Sequence, residues 1–223
     1  MNSKLFIQAL AKFFAGLLIV GLLLFLPAGT FSYPQAWLLL GILFVPMFIA
    51  GLIMMKKNPG LLKKRLNAKE EEPEQRRVVL LSALMFLAAF IAAALCFRFG
   101  LLMLPFPVSI IFAVIFLAAY ALYAEVLREN TYLSRTIEVQ ENQKVIDSGL
   151  YGVVRHPMYM VTVVLFLSMP LVLGSVISFV IMLFYVPIIA KRIRNEEQVL
   201  AKDLPGYREY TQKVKYRLIP FIW

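Results

Sequence analysis

Phe13-Phe14-Ala15-Gly16-Leu17-Leu18-Ile19-Val20-Gly21-Leu22-Leu23-Leu24-Phe25-Leu26 runs without a single charged or hydrogen-bonding side chain. It is the heart of an apolar segment at 5–26, and similar segments follow near 36–55, 78–97, 107–127, 157–173 and 175–190. A hydrocarbon core needs about 20 helical residues to cross, a length the first four reach or nearly reach. The last two are shorter and are joined only by Leu173-Gly174-Ser175, which predicts a tight helical hairpin, tilted or incompletely spanning. The whole chain is 61% hydrophobic and 16% charged, against roughly half and a quarter in a soluble domain. The expected fold is therefore all-α: a polytopic integral membrane helical bundle of about six segments. It reads as one domain over 1–223, with four spans in 1–127 and a motif-bearing region in 128–223.

Lys4 and Lys12 precede the first run, so a signal peptide is the alternative to an anchor there. The length of the run and the lack of a clear small-x-small cleavage site after it favour a retained span. With a cytoplasmic N-terminus and six crossings, Lys4, Lys12, loop 56–77, residues 128–155 and residues 191–217 all fall on one side. Only Arg98 is left on the other. That asymmetry puts both termini in the cytoplasm, as expected of a multi-pass cell-membrane protein. It also makes the net charge of +10 a matter of topology rather than nucleic-acid binding. A single cysteine, Cys96, and a single histidine argue against an internal disulfide and a metal centre.

The histidine lies in Gly149-Leu150-Tyr151-Gly152-Val153-Val154-Arg155-His156-Pro157-Met158-Tyr159. A residue before proline is pushed out of the α region, so His156 should stand just outside a helix that starts at Pro157. Helix starts offer backbone N–H groups and a positive dipole end to anions. About forty residues on, Lys191-Arg192-Ile193-Arg194-Asn195-Glu196-Glu197 closes the last apolar segment, so two charged clusters are expected to face each other at one membrane surface. Each has a plainer reading: His156 as an interfacial cap, Arg155 as a snorkelling side chain, and Glu196-Glu197 as a solvated helix end.

Other segments stay open between structure and function. Loop 56–77 pairs Lys56-Lys57-Asn58-Pro59-Gly60 and Lys63-Lys64-Arg65 with the acidic Glu70-Glu71-Glu72-Pro73-Glu74, and reads as a basic surface turn on anionic headgroups or as a substrate-facing element. Glu125 is either an ion-pair partner of Arg128 or part of a cavity wall. Residues 131–148, with the alternation Thr136-Ile137-Glu138-Val139-Gln140, suggest a short extended piece serving as a lid or a connector. The basic, aromatic tail after Leu204 reads as an interfacial anchor.

Gly149 to Tyr159 resembles the glycine-x-tyrosine and arginine-histidine-proline-x-tyrosine motif of the isoprenylcysteine carboxyl methyltransferase family and its phospholipid methyltransferase relatives. Glu196-Glu197 and Gly206-Tyr207-Arg208-Glu209-Tyr210 are similar to that family's paired glutamates and tyrosine-bearing tail, and Asn58-Pro59-Gly60-Leu61-Leu62 resembles its asparagine-proline loop. The match is strong over about the last 75 residues. It departs at Val161, where the family has glycine; glycine permits close approach, so Val161 is expected to line the narrow part of a lateral opening flanked by the hairpin 157–190.

The resemblance implies transfer of a methyl group from S-adenosyl-L-methionine, at the cytosolic face, to a lipophilic or lipid acceptor such as a prenylcysteine-type carboxylate. It nominates Tyr151, Arg155, His156, Pro157, Tyr159, Glu196 and Glu197 for the cofactor. Arg192 and Arg194 would orient a carboxylate acceptor, and His156 or a glutamate would take a proton from an amine, phenol or enol. Two rivals remain. The C-terminal architecture also resembles membrane sterol reductases, which use a nicotinamide cofactor, although those chains are usually longer. A transporter or scaffold would instead place ionisable groups at mid-membrane.

Overall fold

Proline decides where most of these helices begin, because its fixed φ and missing N–H suit the first turn. The computed structural model describes residues 3–67, 73–133 and 139–223, with 73–75 described by backbone alone. Its helices are α1 (Ser3–Ala28), α2 (Pro34–Lys57), α3 (Pro59–Leu66), α4 (Pro73–Phe99), α5 (Phe106–Glu129), α6 (Pro157–Val172), α7 (Val176–Met182), α8 (Tyr185–Asp203) and α9 (Tyr207–Lys213), with a 3-10 turn at Gly149–Gly152. Pro34, Pro59, Pro73 and Pro157 each stand first in their helix. At α3 the cap is completed by the Asn58 side chain, which accepts from Leu61 N at 3.0 Å. Glu70, Glu71 and Glu72, and Thr136, Ile137 and Glu138, lie outside the described residues, so the acidic stretch and most of the alternating run are not seen.

Among the described residues, five helical stretches are long and apolar enough to cross a membrane: Ser3–Ala28, Pro34–Lys57, Arg76–Phe99, Phe106–Glu129 and Val176–Asp203. The chain is an integral membrane protein. Large apolar side chains such as Leu18, Leu22 and Leu26 face outward on α1, where lipid rather than protein would cover them. Inside, small residues let helices approach: Ala89 and Ala93 of α4 and Ala113 and Ala119 of α5 are buried. A hydrogen bond from Ser178 Oγ to Ala89 O, 2.7 Å, ties α7 to α4.

Of the last two segments, the first falls where the sequence predicts, short of a full crossing, and the second differs. α6 has 16 residues, about 24 Å of helix against a core of about 30 Å. The segment expected at 175–190 is two helices, broken at Leu183-Phe184, where Phe184 N turns back to Ile181 O at 3.2 Å. The second of them does not stop near 190 but runs on to Asp203. Lys191 to Lys202 are mostly strong helix formers, so nothing in them ends the helix.

The hairpin turn is tight, as Leu173-Gly174-Ser175 suggests, and it is pinned. Gly174 takes φ +76°, its carbonyl accepts from Leu104 N at 2.8 Å, and Tyr33 donates to Leu173 O at 2.8 Å. A side chain there would press on Met103 at 3.2 Å. Val161 is also placed differently: it is 1% exposed and packs in the apolar cluster that holds Phe116, Ala119 and Leu165. A branched apolar side chain on the α5 side of α6 fills the interhelical core, so Val161 does not line an opening.

Candidate functional site

The site is built where α6 begins. Its N-cap, His156, has φ −125° and ψ 61°, outside the helical region as the following proline requires. The backbone of this corner is held by the C-terminal strand of chain: Arg155 N donates to Tyr216 O and His156 N to Arg217 O, both at 2.9 Å. Upstream, α5 holds the 3-10 turn. Leu150 N donates to Glu129 Oε2 at 3.2 Å, and Asn130 Nδ2 to the Tyr151 hydroxyl at 3.0 Å. Gly149, at φ +51°, allows that clasp, since a Cβ there would overlap the Glu129 carboxylate.

α8 supplies the opposing wall. Arg192, Glu196 and Leu200 are spaced by four and share one face, and all three line a cavity of about 820 Å³ that is open to solvent. Tyr151, Arg155, His156 and Tyr159 line it from the motif side. The two charged clusters therefore do meet. Tyr159 is the link: its hydroxyl donates to Glu196 Oε2 and accepts from Arg192 Nε at 2.9 Å.

Pro157, Arg194 and Glu197 are not on the cavity wall. Pro157 is buried as the first residue of α6, and Arg194 points to the exposed side of α8. Glu197 lies behind the wall as a hub. Its Oε1 accepts from Arg155 Nε at 2.7 Å and lies 3.3 Å from His156 Nε2, and its Oε2 accepts from Arg217 Nε at 2.7 Å. Arg155 also donates to Val214 O and Lys215 O. The Arg155 and His156 side chains are 8% and 5% exposed, so this is a buried, fully used charge network that fixes the motif and the tail together.

Several wall residues were not among those nominated for the site. Tyr132, Leu133 and Gln143 to Ile146 cover the cavity from the connector after α5, and that connector is tied to itself by Gln140 Nε2 donating to Tyr132 O at 2.6 Å. Tyr207 and Tyr210 come from α9, whose start is set by Gly206 at φ +82°. Tyr210 has a clear structural duty, donating to Tyr151 O at 2.7 Å. Spacing alone could not mark these residues, because they reach the wall only when α9 folds back on α8. The helix α3 touches the border: Arg65 contacts the Tyr123 hydroxyl, and its Nη1 lies 3.9 Å from the sulfur of Met158, itself a wall residue. Glu125 makes a two-bond ion pair with Arg128, at 2.8 and 2.6 Å, on the exposed end of α5 and away from the cavity.

Among the described residues no cluster of three or more metal-ligating side chains occurs. The fold and the site define an all-helical membrane protein with one mixed-charge, aromatic-lined cavity at an end of the bundle. Residues 109–202 match the model of the isoprenylcysteine carboxyl methyltransferase (ICMT) family, so this part of the chain is similar to that family. The chain is also similar to a Delta(14)-sterol reductase, TM7SF2, of Mus musculus: 31% identical over 91 residues, covering 40% of this chain and 22% of that protein.

Proposed function

We propose that this protein uses S-adenosyl-L-methionine to methylate a lipophilic acceptor that arrives from the bilayer, with the cavity open to the cytosol. The single observation that carries the reading is the mixed wall: one cavity bordered by Glu196, Arg192, His156 and five tyrosines. A cofactor with an ammonium, a carboxylate, a sulfonium and an adenine needs anions, cations and aromatic surface together, and the donor set fits it.

Glu196 is the carboxylate on the wall suited to an ammonium or a ribose hydroxyl, since Glu197 is committed to Arg155, His156 and Arg217. The Tyr159 hydroxyl bonds both Glu196 and Arg192, so it orients both signs of charge at once. When bound, the cofactor supplies an electrophilic methyl group on sulfur. What the protein contributes is alignment and the exclusion of water. Arg192 is the cation placed to orient an acceptor carboxylate, which needs no base; His156 is the proton acceptor at hand for an amine or phenol. Arg194 has neither role in this geometry.

The covering connector, residues 130–133 and 143–146, would close over a bound cofactor and keep water from the reacting atoms. The basic residues of 56–77 and 191–217 would hold that mouth against anionic headgroups. The partial likeness to a sterol reductase keeps a nicotinamide cofactor as the rival. Calorimetric titration of purified protein with S-adenosylhomocysteine and, separately, NADPH tests the reading. Binding of the first and not the second supports it, and the reverse result replaces it with a reductase.

A further inference from the structure

Three buried side-chain polar atoms have no hydrogen-bond partner among the described residues: Gln35 Oε1, Ser109 Oγ and the Tyr207 hydroxyl. Only Tyr207 is on the cavity wall. The residue is 4% exposed, so solvent does not readily serve it, and a buried donor left unpaired costs stability. Its neighbour Tyr210 shows that the tail is able to satisfy a tyrosine, since that hydroxyl donates to Tyr151 O. Tyr207 is held in place by packing instead, in a cluster with Leu204, Tyr210 and Val214 against Val145 and Leu200.

The chemistry of this corner is specific. Burial first, then the nearby charges of Glu197 and Glu196, push the Tyr207 phenol well above its ordinary range. It stays protonated and acts as a donor. A protonated phenol calls for an acceptor atom on its partner. Val145, Leu200 and Leu204 make the surrounding wall apolar. A flat heteroaromatic ring with apolar faces and in-plane ring nitrogens meets each of these conditions.

Resting on the cofactor reading above, we propose that the corner formed by Tyr207, Val145, Leu200 and Leu204 holds the purine base of the cofactor, with the Tyr207 hydroxyl donating to a ring nitrogen. Tyr159, Glu196 and Arg192 are then left for the sulfonium and amino-acid end, at the motif side of the same cavity.

Tyr207→Phe removes one oxygen and tests this directly. Two probes are titrated into the purified full chain: S-adenosylhomocysteine, and 5′-methylthioadenosine, which keeps the base and lacks the amino-acid end. The variant should bind both about tenfold more weakly, the effect of one lost hydrogen bond in a desolvated site. Its melting temperature without ligand should be no lower than that of the parent protein, because the hydroxyl has no partner to lose. Unchanged affinity for both probes overturns the proposal. So does a loss confined to S-adenosylhomocysteine, which moves the contact to the amino-acid end. A fall in the ligand-free melting temperature also overturns it, since the hydroxyl would then have a structural partner. If the parent protein binds NADPH and neither adenosyl probe, the methyltransferase reading fails. The base site then stands if Tyr207→Phe weakens NADPH by a similar factor, and falls if it does not.

Discussion

The Glu129 carboxylate occupies the space that a side chain on Gly149 would need, and from there it accepts the Leu150 N–H at 3.2 Å. The end of one membrane helix thus holds the turn that leads into the arginine-histidine motif. Gly149→Ala should cost about 1–2 kcal/mol for a left-handed alanine, and more if the Glu129 bond is lost. It should lower both the melting temperature in detergent and the affinity for S-adenosylhomocysteine. A variant that melts like the parent would show that Glu129 swings aside without consequence.

The two adjacent glutamates should separate by phenotype. Glu197→Gln leaves Arg155 and Arg217 without their counter-charge, and breaking such a buried network costs on the order of 3 kcal/mol. The expected readout is a clear loss of thermal stability. Glu196→Gln should melt normally and bind S-adenosylhomocysteine at least about fivefold more weakly, a loss of roughly 1 kcal/mol from one charge-assisted contact. The opposite assignment of the two effects would exclude Glu196 as the ammonium or ribose contact.

Arginines 192 and 194 are two residues apart and point to different sides of α8. Arg192→Ala should reduce kcat/KM for a lipophilic carboxylate acceptor by at least about tenfold, since it removes both a cation and the Nε bond to Tyr159. Arg194→Ala should leave turnover within about twofold, as expected for an exposed surface change. Equal losses in a steady-state methyl-transfer assay would mean that a general positive field, and not a placed side chain, serves the acceptor.

Val161→Gly tests packing rather than access. Removing a buried branched side chain and placing glycine inside a helix should together cost about 2–4 kcal/mol. Acceptor selectivity should be unchanged, because Val161 is in the interhelical core. Relaxed selectivity in a variant of parental stability, measured over a panel of lipophilic acids, amines and phenols, would return Val161 to the substrate path.

The local signals in the sequence were those with a short-range physical cause. Pro157 places His156 at a helix mouth through sterics with the preceding residue, and apolar runs mark the spans through their length. Leu173-Gly174-Ser175 is short enough to force a hairpin. The break at Leu183-Phe184 also has a local cause, since Pro187 has no N–H to give Leu183 O and its ring crowds that carbonyl, but the apolar run around it reads as one continuous span. The division of labour between Glu196 and Glu197 was also hidden. It depends on Arg217 and the carbonyls of Val214 and Lys215, twenty residues away. Tyr207 could be noticed in the sequence but not placed, since its position rests on α9 folding back against the connector after α5.

The two carbonyls that receive the Arg155 and His156 N–H groups come from Tyr216 and Arg217. During synthesis, every residue of the arginine-histidine motif is therefore translated some sixty positions before the backbone that sets it in place. A nascent or truncated chain that stops short of Tyr216 contains the motif and the spans, yet it lacks the two carbonyls that fix the backbone of the helix mouth. On the proposed function, binding of S-adenosylhomocysteine should therefore depend on the tail having docked.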